Sequence, residues 1–155
     1  MFKKKYIAIN IIRVSKKYSA NFPTYQTMGA SGVDLIGSPD ISDAGIVIKP
    51  GQREIIPTGI AIELPEGLEA QVRPRSGIAY KYGVTVLNSP GTIDSDYRGE
   101  IKVILINHGQ KNFVIKSGDR IAQMIVSKVE KIEFSDVEKL SRTNRNNKGF
   151  GSTGV

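Results

Sequence analysis

The hydrophobic positions of this chain fall in short runs, rich in β-branched residues, that are broken at intervals by turn-forming residues. Such runs are typical of β-strands, and the clusters between them supply prolines or residues that tolerate positive φ. Strands and turns that recur about every 8–12 residues indicate an all-β antiparallel sandwich or jelly roll. The predicted strands are Tyr6–Val14, Gly32–Leu35, Gly45–Ile48, Glu54–Ile56, Gly59–Leu64, Leu68–Val72, Val84–Leu87, Glu100–Asn107, Asn112–Ile115 and Arg120–Val129.

A short helical stretch and a polar C-terminal segment depart from this pattern. After Ser76-Gly77, the residues Ile78–Tyr82 have the composition for a helical turn or two. The composition changes after Glu133, and the residues that follow have too few apolar side chains to fold alone. We therefore expect a single β domain over residues 1–134 and a mobile arm over residues 135–155. Phe150, which glycines flank, favours an arm that closes over something rather than a frayed tail.

The composition excludes several classes of chemistry. A chain of 155 residues suits one domain with a substantial core. It has no cysteine and a single histidine, His108, so disulfides, zinc sites and serine–histidine catalysis have no support. P-loop and Rossmann glycine patterns are absent. No apolar run is long enough to span a membrane, and Asn10 and Arg13 interrupt the signal-like N-terminus, so we expect a cytoplasmic protein.

The net charge of +7 is concentrated near the N-terminus. No acidic residue precedes Asp34, and of the 22 basic residues the 16 outside this stretch face 15 acidic ones. This distribution favours a solvated basic end, with weak attraction of polyanions as the alternative, over a general nucleic-acid-binding surface. The six basic residues of the stretch are Lys3, Lys4, Lys5, Arg13, Lys16 and Lys17.

Two segments carry candidate chemistry beside an ordinary structural explanation. Asp94 and Asp96 would share one face of an extended strand, with Gly91 and Gly99 allowing a hairpin, although such residues also mark plain turns. The run from Pro74 to Gly77 ends one strand and begins a helical turn. Its backbone N–H groups, hydroxyl and guanidinium suit phosphate binding, and the alternative is an N-cap serine beside a surface arginine.

Two further segments place polar groups against buried strands. Gly118 through Gln123 is a turn that feeds a strand, in which Asp119 could cap the turn and Arg120 could pair with it. Asp34 is a carboxylate in an otherwise small and apolar strand. A half-buried carboxylate needs a partner, so we expect either a buried arginine or a hydrated metal beside it.

In this order, the segments resemble the five motifs of the trimeric dUTPase family. The resemblance runs from about Val14 to the C-terminus, and five ordered motifs make chance similarity improbable where one alone would be unconvincing. The motifs are similar to Ala30–Leu35, Arg73–Ala79, Asn88–Gly99, Gly118–Gln123 and Arg145–Gly154.

Membership implies a β jelly-roll homotrimer with active sites at the subunit interfaces. One subunit would supply the first, second and fourth motifs, another the third, and a third the C-terminal arm. The implied reaction is hydrolysis of dUTP to dUMP and pyrophosphate, with Mg²⁺ on the triphosphate and a water attacking the α-phosphorus. Such an enzyme limits uracil incorporation into DNA and supplies dUMP for dTMP synthesis. A metal held mainly by phosphate oxygens and water fits a chain without histidine or cysteine ligands.

The resemblance also assigns roles to individual residues. Asp94 is the implied base for the attacking water, and Asp34 contacts the magnesium through water. Tyr97 lies against the deoxyribose and excludes a 2′-hydroxyl, and Phe150 stacks on the base when the arm closes. The segment that reads the uracil edge through backbone groups includes Asn88, Gly91 and Ile93. The phosphate-binding set comprises Arg75, Ser76, Gly77 and Gln123. From the arm, Arg145, Ser152 and Thr153 reach the terminal phosphates, and Gly151 is a further substrate-binding residue.

Three other functions compete with this interpretation. A dCTP deaminase shares the fold and resembles the second motif, but it relies on a glutamate, whereas Asp94 and Tyr97 stand here in the dUTPase arrangement. A nucleic-acid-binding barrel would use aromatic stacking platforms along a positive groove, and this chain has no tryptophan and a confined charge. A trimer retained for protein contacts is the third, against which the intact Asp94 argues.

The arm departs from the family pattern at two positions, since Asn146 and Lys148 stand where glycines are usual. Asn tolerates positive φ, whereas Lys adopts it at a cost, which an added cation near the triphosphate could offset. We predict that the arm still closes, with altered affinity for dUTP. A Lys148→Gly variant is then expected to have a higher KM in steady-state kinetics, and a lower KM would contradict the charge role.

Overall fold

The computed structural model of the protein describes residues 6–17 and 22–149, which contain eleven β-strands and one short α-helix. No helix in these two ranges is long and apolar enough to cross a membrane. In chain order the elements are β1 (Asn10–Arg13), β2 (Val33–Ile36), β3 (Ile46–Ile48), β4 (Arg53–Pro57), β5 (Ile60–Glu63), β6 (Leu68–Arg73), α1 (Ser76–Tyr82), β7 (Val84–Val86), β8 (Gly91–Ile93), β9 (Lys102–Asn107), β10 (Phe113–Ile115) and β11 (Arg120–Lys128).

Every strand pairing in the described ranges is antiparallel. The largest sheet has the order β2-β11-β6-β8, and a second has the order β4-β9-β7. Two further sheets each contain one pair, β1 with β5 and β3 with β10. Because strands distant in sequence lie side by side, the connections cross between layers as they do in sandwiches and jelly rolls.

The core lies between these sheets and consists of aliphatic side chains. Alternation along β9 illustrates how it forms, since Val103, Leu105 and Asn107 are buried and the residues between them are less so. A strand places successive side chains on opposite faces, so this alternation packs one face against the other layer. The fully buried side chains include Leu35, Ile48, Ile56, Ile101, Leu105, Ile115 and Ile121.

The all-β prediction is confirmed, with differences at element boundaries and one additional strand. The first strand covers Asn10–Arg13 rather than Tyr6–Val14, because its ladder follows the four residues of β5. The helix begins at Ser76, two residues earlier than Ile78. A three-residue strand, Gly91–Ile93, pairs with β6 in the segment expected to form its own hairpin.

Residues 129–149 contain neither strand nor helix. They nevertheless carry apolar side chains that are largely solvent-exposed in the single chain, including Phe134 at 91% and Leu140 at 87%. The lack of regular structure begins close to the predicted boundary between domain and arm. The boundary itself and the mobility of the arm stay predictions.

A buried amide ties the end of β9 to two neighbouring segments. Asn107 is fully buried, and its Nδ2 donates to the carbonyl oxygens of Ile48 and Lys111, each at 2.8 Å. Its Oδ1 accepts a hydrogen bond from the backbone N–H of Gly109, also at 2.8 Å. A buried polar group is tolerated when it is hydrogen-bonded in this way. Its removal leaves its former partners without a hydrogen bond.

We expect Asn107→Ala to lower the free energy of unfolding by about 2–4 kcal/mol, because one buried and two partly buried backbone groups lose their partner. Urea unfolding of both proteins at one equal concentration measures the change. The matched control is Asn112→Ala, at an exposed position nearby, which should shift the unfolding free energy by less than about 0.5 kcal/mol. Equal effects of the two substitutions would contradict the role of Asn107.

Candidate functional site

Three of the predicted site segments meet on the four-stranded sheet, with β11 at their centre. Gln123 in β11 lies opposite Asp34 in β2 on one side and Arg73 in β6 on the other. Directly opposed residues of antiparallel strands point to the same face, so these side chains share one face of the sheet. Gln123 Nε2 also donates to the carbonyl oxygen of Pro74 at 2.9 Å. The sheet therefore gathers the segments of Asp34, Arg75 and Gln123 in one region.

The Asp34 carboxylate lies between two arginines. Its Oδ1 is 3.1 Å from Nε of Arg75, and its Oδ2 accepts a hydrogen bond from Nη1 of Arg120 at 3.3 Å. Arg75 Nη1 donates in turn to the backbone oxygen of Arg120 at 3.0 Å. The Asp34 side chain is only 12% exposed, so its charge needs these partners. We call Asp34, Arg75 and Arg120 the clamp.

The contacts of the clamp bear on the expected partners of Asp34 and of Arg120. Of the partners expected for Asp34, the structure shows arginine, while the contact with magnesium through water stays a prediction. The expected pairing of Arg120 with Asp119 is wrong, because Arg120 extends from β11 towards β2 and reaches Asp34 instead. Asp119 caps the preceding turn as expected, since its Oδ2 accepts from the N–H of Lys116 at 2.7 Å.

Ser76 is the first residue of α1 and does not cap it. The N-cap position is Arg75, which is extended (φ −99°, ψ 126°), and no side chain caps the helix. The alternative of an N-cap serine is therefore wrong. Ser76 and Gly77 are exposed beside the clamp arginine, and the first N–H groups of a helix have no partner within it. Their hydroxyl and N–H groups are thus available to a ligand.

Asp94 lies in a tight turn that follows β8. The N–H of Tyr97 donates to the carbonyl oxygen of Asp94 at 3.2 Å and closes this turn, which we name the Asp94 turn (Asp94–Tyr97). Asp94 and Asp96 therefore do not share a strand face, and that expectation is wrong, because the chain bends directly after Ile93. The Asp94 side chain is exposed and no neighbour of the described chain restrains it by a hydrogen bond or ion pair.

The ring of Tyr97 lies close above Gly99. Tyr97 Oη donates to the carbonyl oxygen of Glu100 at 3.1 Å, and a Cβ at Gly99 would overlap the phenol ring. Glycine at position 99 is thus needed to admit the ring. Tyr97 is 45% exposed, so a ligand can reach part of it.

Asn88, Gly91 and Ile93 belong to the approach to β8 and to the strand itself. Gly91 is buried, and a Cβ there would lie 3.2 Å from Cβ of Val72 and 3.4 Å from Nδ2 of Asn88. Glycine therefore allows the Asn88 amide and β6 to approach each other. The side chain of Ile93 is 8% exposed and belongs to the core, so only its backbone is available to a ligand.

The strand register separates Asp94 from the clamp within one chain. Ile93 lies opposite Ala70 in β6, so Asp94 is level with Glu69, whereas Gln123 is opposite Arg73. Four residues along a strand correspond to about 13 Å. Asp94 borders a cavity of about 620 Å³ lined also by Glu66, Leu68, Glu69, Arg98 and Lys131. The predicted base and the predicted phosphate-binding residues thus occupy different parts of the chain.

The beginning of the last motif forms a turn of its own. Thr143 and Asn146 exchange hydrogen bonds, each backbone N–H donating to the other's side-chain oxygen, at 3.3 and 3.0 Å. Arg145 Nε donates to the carbonyl oxygen of Lys148 at 3.0 Å. Asn146 adopts the positive φ of 44°, the only non-glycine to do so in the described ranges. Lys148 does not share this conformation, and its effect on closure of the arm stays a prediction.

Four predicted site residues fall outside the described part of the chain, namely Phe150, Gly151, Ser152 and Thr153. Sequence reasoning also missed two contributors within it. Arg120 was expected to pair locally, and Arg98 was not singled out although it adjoins Tyr97 in the same segment. The signal that could have identified Arg98 was its position directly after the segment Asp94–Tyr97.

The sequence is similar to one known family over most of its length. A family model described as dUTPase matches residues 18–154. A protein from Rhizobium etli (strain CIAT 652) named deoxyuridine 5'-triphosphate nucleotidohydrolase is 50% identical over 147 residues, covering 95% of this chain and 94% of its own. One of the same name from Hydrogenobaculum sp. (strain Y04AAS1) is 59% identical over 136 residues, covering 88% and 92%.

Solved structures share the fold at lower sequence identity. The dUTPase of Staphylococcus bacteriophage 80alpha with dUPNHPP superposes with a TM-score of 0.83 at 24% identity, covering 96% of this chain and 99% of its own. A mutant dUTPase from phage phi11 of S. aureus, described as coordinating a structural Mg(II) ion, gives a TM-score of 0.74 at 20% identity, covering 86% and 98%. These similarities confirm the predicted jelly-roll-like β fold.

Proposed function

This chain belongs to the dUTPase family and is an enzyme that hydrolyses dUTP; from that premise we propose that it releases dUMP and pyrophosphate by magnesium-assisted attack of water at the α-phosphorus. The observation that carries the proposal is the convergence of Asp34, Arg75 and Gln123 on one face of the sheet. Nothing in the packing of the core requires this combination of groups. An arginine that a carboxylate orients, beside an amide donor, suits a triphosphate with its high negative charge.

The clamp is suited to bind phosphates because its Arg75 is held in place before the substrate binds. Asp34 and the Arg120 carbonyl engage Nε and Nη1 of Arg75, which leaves Nη2 available to a phosphate oxygen. A guanidinium that is already oriented loses less freedom on binding than an unrestrained one. Ser76, Gly77 and Gln123 add a hydroxyl, backbone N–H groups and an amide to this proposed phosphate-binding set.

Asp94 is the proposed general base. Its exposed carboxylate can accept a proton from a water that lies between it and the α-phosphorus. General-base catalysis contributes typically about 10²–10⁴-fold, so orientation and charge neutralisation must supply most of the acceleration. This division matches a site in which Arg75, Ser76, Gly77 and Gln123 bind the phosphates and one carboxylate, Asp94, activates the water.

The residues fit a magnesium ion that is held by the substrate rather than by the protein. The described ranges contain no group of three or more His, Cys, Asp or Glu side chains that could hold a metal. Asp34 has an arginine on each oxygen, but a carboxylate offers about four lone pairs and can also accept from metal-bound water. When bound, magnesium supplies charge neutralisation and alignment of the phosphates.

Recognition of uracil is proposed to use the free edge of β8. This strand lies at the end of the sheet and pairs with β6 on one side, so the other side of Gly91–Ile93 presents backbone N–H and C=O groups. Such groups can match the polar edge of a base, and a mismatch leaves them unpaired, which discriminates strongly. Tyr97 would lie against the deoxyribose, where a 2′-hydroxyl would collide with the ring.

We further propose a homotrimer whose sites combine residues of different copies. The separation of about 13 Å along the strands between Asp94 and the clamp supports this assembly, because the two groups lie near opposite ends of β6 rather than side by side within a chain. The arm over residues 135–155 would bring Arg145, Phe150, Gly151, Ser152 and Thr153 over a neighbouring site. In a cytoplasmic setting the reaction would limit uracil in DNA and supply dUMP for dTMP synthesis.

Pyrophosphate release from dUTP, dTTP, dCTP and UTP, with and without Mg²⁺, tests the proposed function. We expect rapid turnover of dUTP alone, and a large loss on chelation of the metal, because the backbone edge and Tyr97 select base and sugar. Identification of the nucleotide product by chromatography accompanies the assay. Equal turnover of all four nucleotides, or a uracil nucleotide formed from dCTP, would contradict the proposal.

A further inference from the structure

The Asp94 turn is held from outside by one guanidinium group. Arg98 Nη1 donates to the carbonyl oxygens of Ser95 at 2.7 Å and of Tyr97 at 3.0 Å. These carbonyls lie in the middle and at the end of the turn that Asp94 begins. A rigid planar donor that joins two carbonyls restricts the path of the backbone between them. Arg98 therefore acts on the part of the chain that aims both Asp94 and Tyr97.

Arg98 is itself anchored to the sheet through Glu63. Arg98 Nη2 lies 3.3 Å from Oε1 of Glu63, the last residue of β5. The other oxygen of Glu63 accepts a hydrogen bond from Nδ2 of Asn10 at 2.8 Å, and Asn10 lies directly opposite Glu63 in β1. A chain of contacts thus runs from the N-terminal strand to the Asp94 turn.

The surroundings of Glu63 favour its charged form. The hydrogen bond from Asn10 and the positive charge of Arg98 lower the pKa of Glu63 below its ordinary value of 4.5. Glu63 therefore remains a carboxylate throughout the neutral range and always offers a counter-charge to Arg98. Asn10 and Glu63 border a second cavity of about 320 Å³, and Arg98 lies in its wall as well as in the wall of the cavity beside Asp94.

The exposure of the pair decides what kind of role it can have. The Arg98 and Glu63 side chains are 54% and 51% exposed, and ion pairs of that kind contribute little to the stability of a protein. Stabilisation of the fold is therefore a poor explanation for the three contacts of the Arg98 guanidinium. Control over the geometry of the Asp94 turn explains them better, since a displacement of about 1 Å in a catalytic group lowers the rate strongly.

We infer that Arg98 is a positioning residue for dUTP hydrolysis, with Glu63 and Asn10 as its anchor in the sheet. The inference rests on the proposed role of Asp94, which Arg98 orients through the backbone of Ser95 and Tyr97. The anchor gives the N-terminal strand β1 a function in the site that is distinct from packing.

Steady-state kinetics and thermal unfolding of the full chain test this inference in Arg98→Ala, Arg98→Lys, Glu63→Ala, Asn10→Ala and the double variant Arg98→Ala/Glu63→Ala. We expect Arg98→Ala to lower kcat about tenfold or more, to change KM less, and to leave the unfolding midpoint nearly unchanged. Arg98→Lys should recover little, because a single ammonium group cannot span two carbonyls and Glu63. Arg53→Ala, which removes an exposed arginine of β4, is the matched control and should resemble the unmodified chain.

The double variant separates positioning from a general effect on the surface. Glu63 acts through Arg98, so removing both side chains should lower kcat no further than removing Arg98 alone. Additive losses, a wild-type kcat in both Arg98 variants, or a fall in kcat that follows a fall in the unfolding midpoint would each overturn the inference. Failure of the unmodified chain to turn over dUTP would instead refute the proposed function.

Discussion

The pairing of Asp34 with Arg75 and Arg120 is the interaction on which the rest of the site depends. A carboxylate with 12% exposure is costly unless it is neutralised, and both of its oxygens meet a guanidinium. Because the three residues come from β2, the start of α1 and β11, their pairing ties three distant parts of the chain together. It also fixes the direction of Arg75 at the place where α1 begins. The same contact thus serves folding and the proposed grip on phosphates.

Antiparallel register imposes the second constraint. The pairing of β6 with both β11 and β8 puts Gln123 near one end of β6 and Asp94 near the other. No rearrangement of side chains can remove this separation, since it follows from the hydrogen-bonded ladder itself. In the proposed homotrimer, another copy of the chain would complete a site that uses both parts.

The sequence predicts those features that depend on local pattern. The alternating residues of β9 and the turn glycines give the correct fold class, because period-two burial and turn chemistry are local properties. Gly91–Ile93 escapes detection because three residues, one of them glycine, carry too little strand signal until β6 lies beside them. Asp34 is an example from the site of a contact that local pattern cannot predict. Its need for a partner follows from its apolar surroundings, but the choice of Arg75 and Arg120 depends on strand register. The contacts of Arg98 likewise exist only after the turn has formed.

The central claim is that Asp94 and Arg75 act on one substrate from different copies of the chain. Asp94→Ala and Arg75→Ala variants, each expected to lose at least about 100-fold in kcat, can be unfolded in urea, mixed in equal amounts and refolded together. If sites are shared between copies, random assembly gives about one quarter of the sites both intact residues, and about a quarter of the unmodified activity should return. If the mixture stays as inactive as either variant alone, although mixed assemblies form, the account is contradicted.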